Sequence, residues 1–180
     1  MVKRLVTLFL GLLFLQLYGC GYTNRSLLPS DVKSIHVAPV KSATDLSGEI
    51  GGGKQRFKVY RPGIEVDLTN AIINRFIFDG TLKITGPETA DAILEAKLTD
   101  YRRDALRYTD GEDVQEYRLS VVLEAVLYRA KDHKVLWREG VTGDTSFLLS
   151  GNRASSEDEA VGKAVEDAAR RVVEKTIELW

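Results

Sequence analysis

Two segments in the middle of the chain alternate apolar and polar residues with a period of two. In the first, Ala92, Leu94, Ala96 and Leu98 point one way, while Glu95, Lys97 and Thr99 point the other. In the second, Leu119, Val121, Leu123, Ala125 and Leu127 oppose Arg118, Ser120, Glu124 and Tyr128. Such a period with one polar face predicts antiparallel strands half open to water. Lys131-Asp132-His133-Lys134 reads as a tight hairpin turn, with Val135 to about Phe147 as the partner strand. Upstream, Val32, Ile35, Val37 and Val40 predict a first strand over Val32 to Val40, and Leu82 to Thr85 a short one.

Two other stretches follow helical spacing. Pro62 suits the first turn of a helix that runs to about Phe78 and is closed by Asp79-Gly80. Ile64, Leu68, Ala71, Ile72 and Arg75 line one side of it, and Val66, Ile73, Phe76 and Ile77 widen the stripe. So broad an apolar face implies a helix pressed against a sheet. Ser156-Glu157-Asp158-Glu159 is a capping box that opens the last helix, which runs to about Leu179. Ala160, Ala164, Ala168, Val172 and Ile177 fall among its buried positions, and the small alanines allow close approach to the sheet. Between the first strand and Pro62, Lys41 to Arg61 reads as a glycine-rich loop with a short strand at Phe57 to Tyr60. The order predicts an α+β fold: two helices packed on one face of a mixed, largely antiparallel sheet of four to five strands.

The first twenty residues follow neither pattern. Lys3 and Arg4 precede Leu5 to Leu17, a run without charge. It is too short to span ~30 Å of hydrocarbon comfortably as a helix, so it reads as a removable leader. Leu17-Tyr18-Gly19-Cys20 then has the form of a lipobox. An ordinary secretory leader and an uncleaved anchor are the alternatives. The chain's single cysteine, directly after Leu-x-Gly, favours lipidation at Cys20. Each buried methylene of an acyl chain contributes ~0.8 kcal/mol, so two or more chains make a stable anchor. On this reading the Cys20 thiol is a tether. Gly21 stands where an inner-membrane retention signal usually places Asp, so the expected location is the outer membrane, periplasmic side. The expected organisation is a leader over 1–19, a lipidated tether over 20–31 and one domain over 32–180.

Of the 25 basic and 26 acidic residues, the leader takes only Lys3 and Arg4, so the mature part is acidic by three. That balance gives no reason to expect nucleic-acid binding. With Cys20 committed to lipid no disulfide forms, and the domain holds together by packing.

Gly48 to Lys54 matches the first seven positions of a phosphate-binding P-loop but fails at Gln55, where Ser or Thr must hold magnesium. His36 and His133 are the only histidines and lie about a hundred residues apart, so neither a zinc site nor any other cofactor is expected. A hydrolase built on a serine with His36 or His133 is the remaining enzymatic reading, and no Gly-x-Ser-x-Gly elbow supports it. The chain is expected not to be an enzyme. What remains is a basic cluster: Arg102, Arg103 and Arg107 follow Tyr101, with Arg118 on the neighbouring strand. A turn near Asp110-Gly111 brings Arg102 or Arg103 close to Arg118. Guanidinium groups so placed bind phosphate bidentately. Alternatively, they pair with Asp100, Asp104, Glu112, Asp113 and Glu116 nearby.

These segments together resemble the LptE family. The likeness begins at Cys20-Gly21-Tyr22 with Arg25, and continues through Tyr60-Arg61-Pro62-Gly63-Ile64-Glu65 and Leu68-Thr69-Asn70-Ala71 to Phe76. It takes in Asp79-Gly80-Thr81-Leu82, Ala90-Asp91-Ala92-Ile93-Leu94-Glu95 and Thr99-Asp100-Tyr101-Arg102-Arg103. Glu116-Tyr117-Arg118-Leu119, Lys134-Val135-Leu136-Trp137 and the alanine-rich last helix ending in Trp180 complete it. The resemblance implies two helices on a mixed sheet and a role in lipopolysaccharide assembly. It implies an LptD-type β-barrel as partner, lipopolysaccharide contacted through basic residues such as Arg102 and Arg103, and acyl chains in the inner leaflet of the outer membrane. The glycine-rich loop at Lys41 to Arg61 is longer than in many relatives. A rival reading is a regulatory lipoprotein that activates a periplasmic cell-wall enzyme.

Overall fold

The computed structural model describes residues 28–29, 31–43 and 61–178. The leader, Cys20, the P-loop-like glycines and the strand expected at Phe57 to Tyr60 lie outside the described residues.

The two alternating segments form a long hairpin, β4 (Ala92–Tyr108) and β5 (Val114–Arg129), continued by β6 (Val135–Leu148). Both junctions are antiparallel. The first apolar stretch yields two short strands, β1 (Ser34–Val37) and β2 (Lys41–Ser42), which pair in succession along the same edge of β4, both parallel to it. β3 (Lys83–Ile84) adds to the outer side of β1, also parallel. The sheet order is β3-β1-β4-β5-β6 with β2 on β4. The sheet is mixed as expected and has six strands, because the predicted first strand is broken at Ala38-Pro39. Proline has no N–H to give the ladder, and Val40 N donates instead to Thr69 Oγ1 at 2.9 Å.

Helix α1 (Ile64–Asp79) starts after Pro62-Gly63, where Gly63 takes a φ of 89°. It ends at Gly80, whose left-handed backbone lets its N–H bond Phe76 O at 3.0 Å. Ile64, Leu68, Ile72 and Phe76 are buried. The apolar stripe is narrower than the sequence implies: Val66, Ile77 and Phe78 are 61%, 62% and 80% exposed. The reason is position. α1 packs over β1 and β3 at the sheet margin and against the last helix, so its third side faces solvent.

Helix α2 (Glu157–Glu178) covers β5 and β6. Ser156 Oγ accepts from Glu159 N at 3.1 Å, the forward half of the capping box. The Glu159 carboxylate turns instead to Lys163, 2.7 Å away. Ala164 and Ala168 are fully buried, and Gly143 of β6 lies beneath them. The buried apolar side chains of the helix-facing sheet surface join one core with both helices, including Leu94, Leu98, Leu119, Leu123 and Leu127.

One irregularity positions everything beyond it. Leu98 pairs with Leu123 and Asp100 with Val122, so Thr99 is an extra residue on β4. Such a bulge reverses which face later side chains occupy. Up to Leu98 the even-numbered residues of β4 are buried; beyond the bulge Tyr101 is the buried one.

Candidate functional site

The distal half of the β4–β5 hairpin carries the four arginines. It closes through Thr109 N to Asp113 O at 2.8 Å, with Glu112 at a φ of 66°. Register places Arg102 opposite Ser120, Arg103 opposite Leu119, Asp104 opposite Arg118 and Arg107 opposite Glu116. Arg102 and Arg118 are therefore diagonal neighbours on the open face of the sheet, a separation that long side chains bridge.

Arg103 sits on the other face. Its guanidinium bonds Glu157 at 2.5 Å in the first turn of α2 and lies over the Tyr117 ring, 4.7 Å from the centroid. Tyr117 in turn packs on Phe147 at 5.8 Å. Arg103 thus fastens α2 to the sheet, assisted by Arg61 beside Asp158 at 3.4 Å. Glu157, which makes Arg103 structural, carries no sequence signal beyond its place in the capping box.

On the open face, Arg102 Nε stands 3.7 Å from Asp100, and Arg107 3.4 Å from Glu116. Both distances are loose, and partly exposed pairs of this kind contribute ~0–1 kcal/mol. Arg118 is exposed and has no ion pair within 4 Å among the described residues. Beside it Ser120 donates to Asp144 at 2.6 Å, so the surface mixes both signs.

Tyr101, buried under α2, extends its hydroxyl toward Glu157 at 3.4 Å. Burial first, then the Glu157 carboxylate, push its phenol up to about 12. A folded value above the ordinary 10 means that the neutral phenol stabilises the fold fully below pH 10. That contribution disappears as pH rises toward 12. Urea titrations are expected to show a loss of ~2 kcal/mol across this window. The Tyr101→Phe protein should keep most of it, and equal losses in both proteins would exclude Tyr101 as the titrating group.

His36 Nδ1 lies 3.3 Å from Thr85 O, and His133 occupies the β5–β6 turn with a φ of 52°. No group of three His, Cys, Asp or Glu residues suited to a metal occurs among the described residues.

A family profile described as "LptE: Lipopolysaccharide-assembly" matches residues 32–176. The chain belongs to this family. LptE is a non-enzymatic family of lipopolysaccharide-assembly lipoproteins of the cell envelope. Solved structures share its fold. One is a Xanthomonas campestris protein of family DUF330, 16% identical, with 86% of this chain and 87% of that one aligned at a TM-score of 0.55. Another is an uncharacterised lipoprotein B from Nitrosomonas europaea, 15% identical, with 89% of each chain aligned at a TM-score of 0.54. A comparison with curated proteins finds no match. In this LptE member the helix-covered face of the sheet is committed to the core, while the opposite sheet face and the hairpin end stay polar.

Proposed function

We propose that the protein is an outer-membrane lipoprotein, acylated at Cys20, that plugs an LptD-type β-barrel and contacts lipopolysaccharide as it passes to the outer leaflet. The observation that carries this reading is the pairing of an LptE profile over 32–176 with one sheet face left polar along three long strands. A barrel lumen is polar, and a charged, two-signed surface suits its wall. Acyl chains on Cys20 hold the domain at the periplasmic leaflet, next to the barrel mouth.

Arg118, with no ion pair within 4 Å among the described residues, and Arg102 beside it supply the phosphate contact, with Arg107 at the edge. Arg103 acts through α2. Losing one charge-assisted contact is worth ~1.5 kcal/mol or more, so Arg118→Ala and Arg102→Ala are each expected to weaken lipopolysaccharide binding about tenfold. Their unfolding midpoints should stay unchanged. Arg103→Ala should do the reverse, and the opposite split would sink the assignment. Gentle extraction should yield the protein together with a large barrel; a protein that migrates alone counts against the plug. Mass spectrometry of the mature amino terminus tests the acylation.

A further inference from the structure

The proximal half of the open face holds a second constellation, about 15 Å along β4 from Arg102 by strand rise. Parallel pairing of β2 with β4 sets Lys41 directly opposite Lys97. Like charges placed opposite each other on adjacent strands are destabilising unless something lies between them. Across the next junction Lys97 faces Glu124, and Glu95 stands two residues back on the same face. All four side chains are exposed, and none forms an ion pair within 4 Å among the described residues. They line one concavity of about 390 Å³, together with Ser42. Ala38, Pro39 and Val126 give it apolar walls. The break that ends β1 at Ala38-Pro39 creates the hollow, and its volume falls in the range of small-ligand sites.

Two ammonium groups beside two carboxylates, unpaired with one another, are complementary to a ligand carrying both signs a few ångströms apart. We infer that this hollow binds a phosphoethanolamine group, with its phosphate between Lys41 and Lys97 and its ammonium toward Glu95 and Glu124. A lone phosphate would meet two carboxylates, and a lone amine two lysines, so each half alone binds worse than the whole. The group occurs in two phosphodiester settings, as the headgroup of a phospholipid and as a substituent on the sugar of a glycolipid. The hollow recognises the chemistry that the two share.

The test is titration of the mature chain, followed by amide chemical shifts, with O-phosphoethanolamine, inorganic phosphate and ethanolamine in separate arms. O-phosphoethanolamine is expected to bind at least fivefold tighter than either half, with shifts centred on residues 38–42, 95–97 and 124–126. Lys97→Ala should weaken it about tenfold. Glu124→Gln should abolish the preference over inorganic phosphate. All four side chains are exposed, so neither variant should lower the unfolding midpoint, and Lys97→Ala should raise it slightly by relieving Lys41. A fourth arm with a short-chain phosphatidylethanolamine and a fifth with a monosaccharide phosphoethanolamine diester separate the sources: tighter binding of the first assigns a phospholipid, and tighter binding of the second a glycolipid substituent. Equal affinity for inorganic phosphate and O-phosphoethanolamine overturns the inference, as do shifts centred on Arg102 and Arg118. The result is independent of whether a barrel co-purifies.

Discussion

Gly143→Val is expected to destabilise the protein by about 3 kcal/mol or more, the upper end of what overpacking costs in a filled core. A Cβ built on Gly143 would stand 2.5 Å from Ala168 N and 2.6 Å from Ala168 Cβ, with the Ala164 carbonyl closer still. Most of these atoms belong to the α2 backbone, which cannot turn aside as a side chain can. The helix must therefore lift off β6, taking with it the fully buried Ala164, Ala168 and Val172. Gly140→Val is the control. It lies three residues away on the same strand, and its Cβ would meet only Leu123 O at 4.0 Å. Valine there should change stability by less than about 0.5 kcal/mol. Urea unfolding of both variants decides the point; similar losses would mean that strand propensity, and not the approach of α2, sets the cost.

Asp91→Ala is the second large effect, about 3 kcal/mol. One carboxylate oxygen, Oδ2, accepts from Lys33 N at 3.0 Å, Ser34 N at 2.9 Å and Ser34 Oγ at 2.8 Å. Ser34 Oγ accepts in return from Asp91 N at 3.0 Å. This knot joins the entry of β1 to the entry of β4, and alanine leaves its donors without their acceptor. Asp91→Asn keeps an acceptor oxygen and should cost roughly half as much. The Ser34 hydroxyl above all, then the Lys33 amide, hold the Asp91 carboxyl below its usual range. A depressed folded value means that the contribution is present above the ordinary carboxylate range, near pH 4, and is lost as pH falls through the folded value. Acid titration of stability should therefore be shallower in Asp91→Asn than in the parent. Identical acid limbs would remove Asp91 from the account.

Much of this architecture is legible in the residues. The period-two stretches around Leu94 and Leu123 became the central hairpin, and the alanine ladder of α2 met the sheet as its small side chains suggest. Gly143 was legible in principle, since a glycine inside a strand pattern signals the close approach of another backbone. Other features were not. β2 and β3 are two residues each, and such short strands exist only because β4 and β1 offer edges to them. On α1 the composition could not say that one flank meets solvent, because Val66 and Ile77 have the same chemistry as the buried Ile72. The four arginines were found as a cluster, but which of them takes which face depends on a register shift that no local property of Thr99 announces.

That shift has an evolutionary consequence. The addresses of Arg102 and Arg103 are set by their pairing with Ser120 and Leu119, so a deletion of the extra residue Thr99 would straighten the strand and leave both on their present faces. An inserted residue, with no second bulge to absorb it, would instead offer Arg102 to Glu157 and Arg103 to the solvent and expel Tyr101 from beneath α2. Natural variants can exchange charges on this hairpin one at a time and can lose the bulge residue, but an added residue there arrives as a wholesale inversion. In this one strand, shortening by a residue is expected to be tolerated in the lineage and lengthening is not.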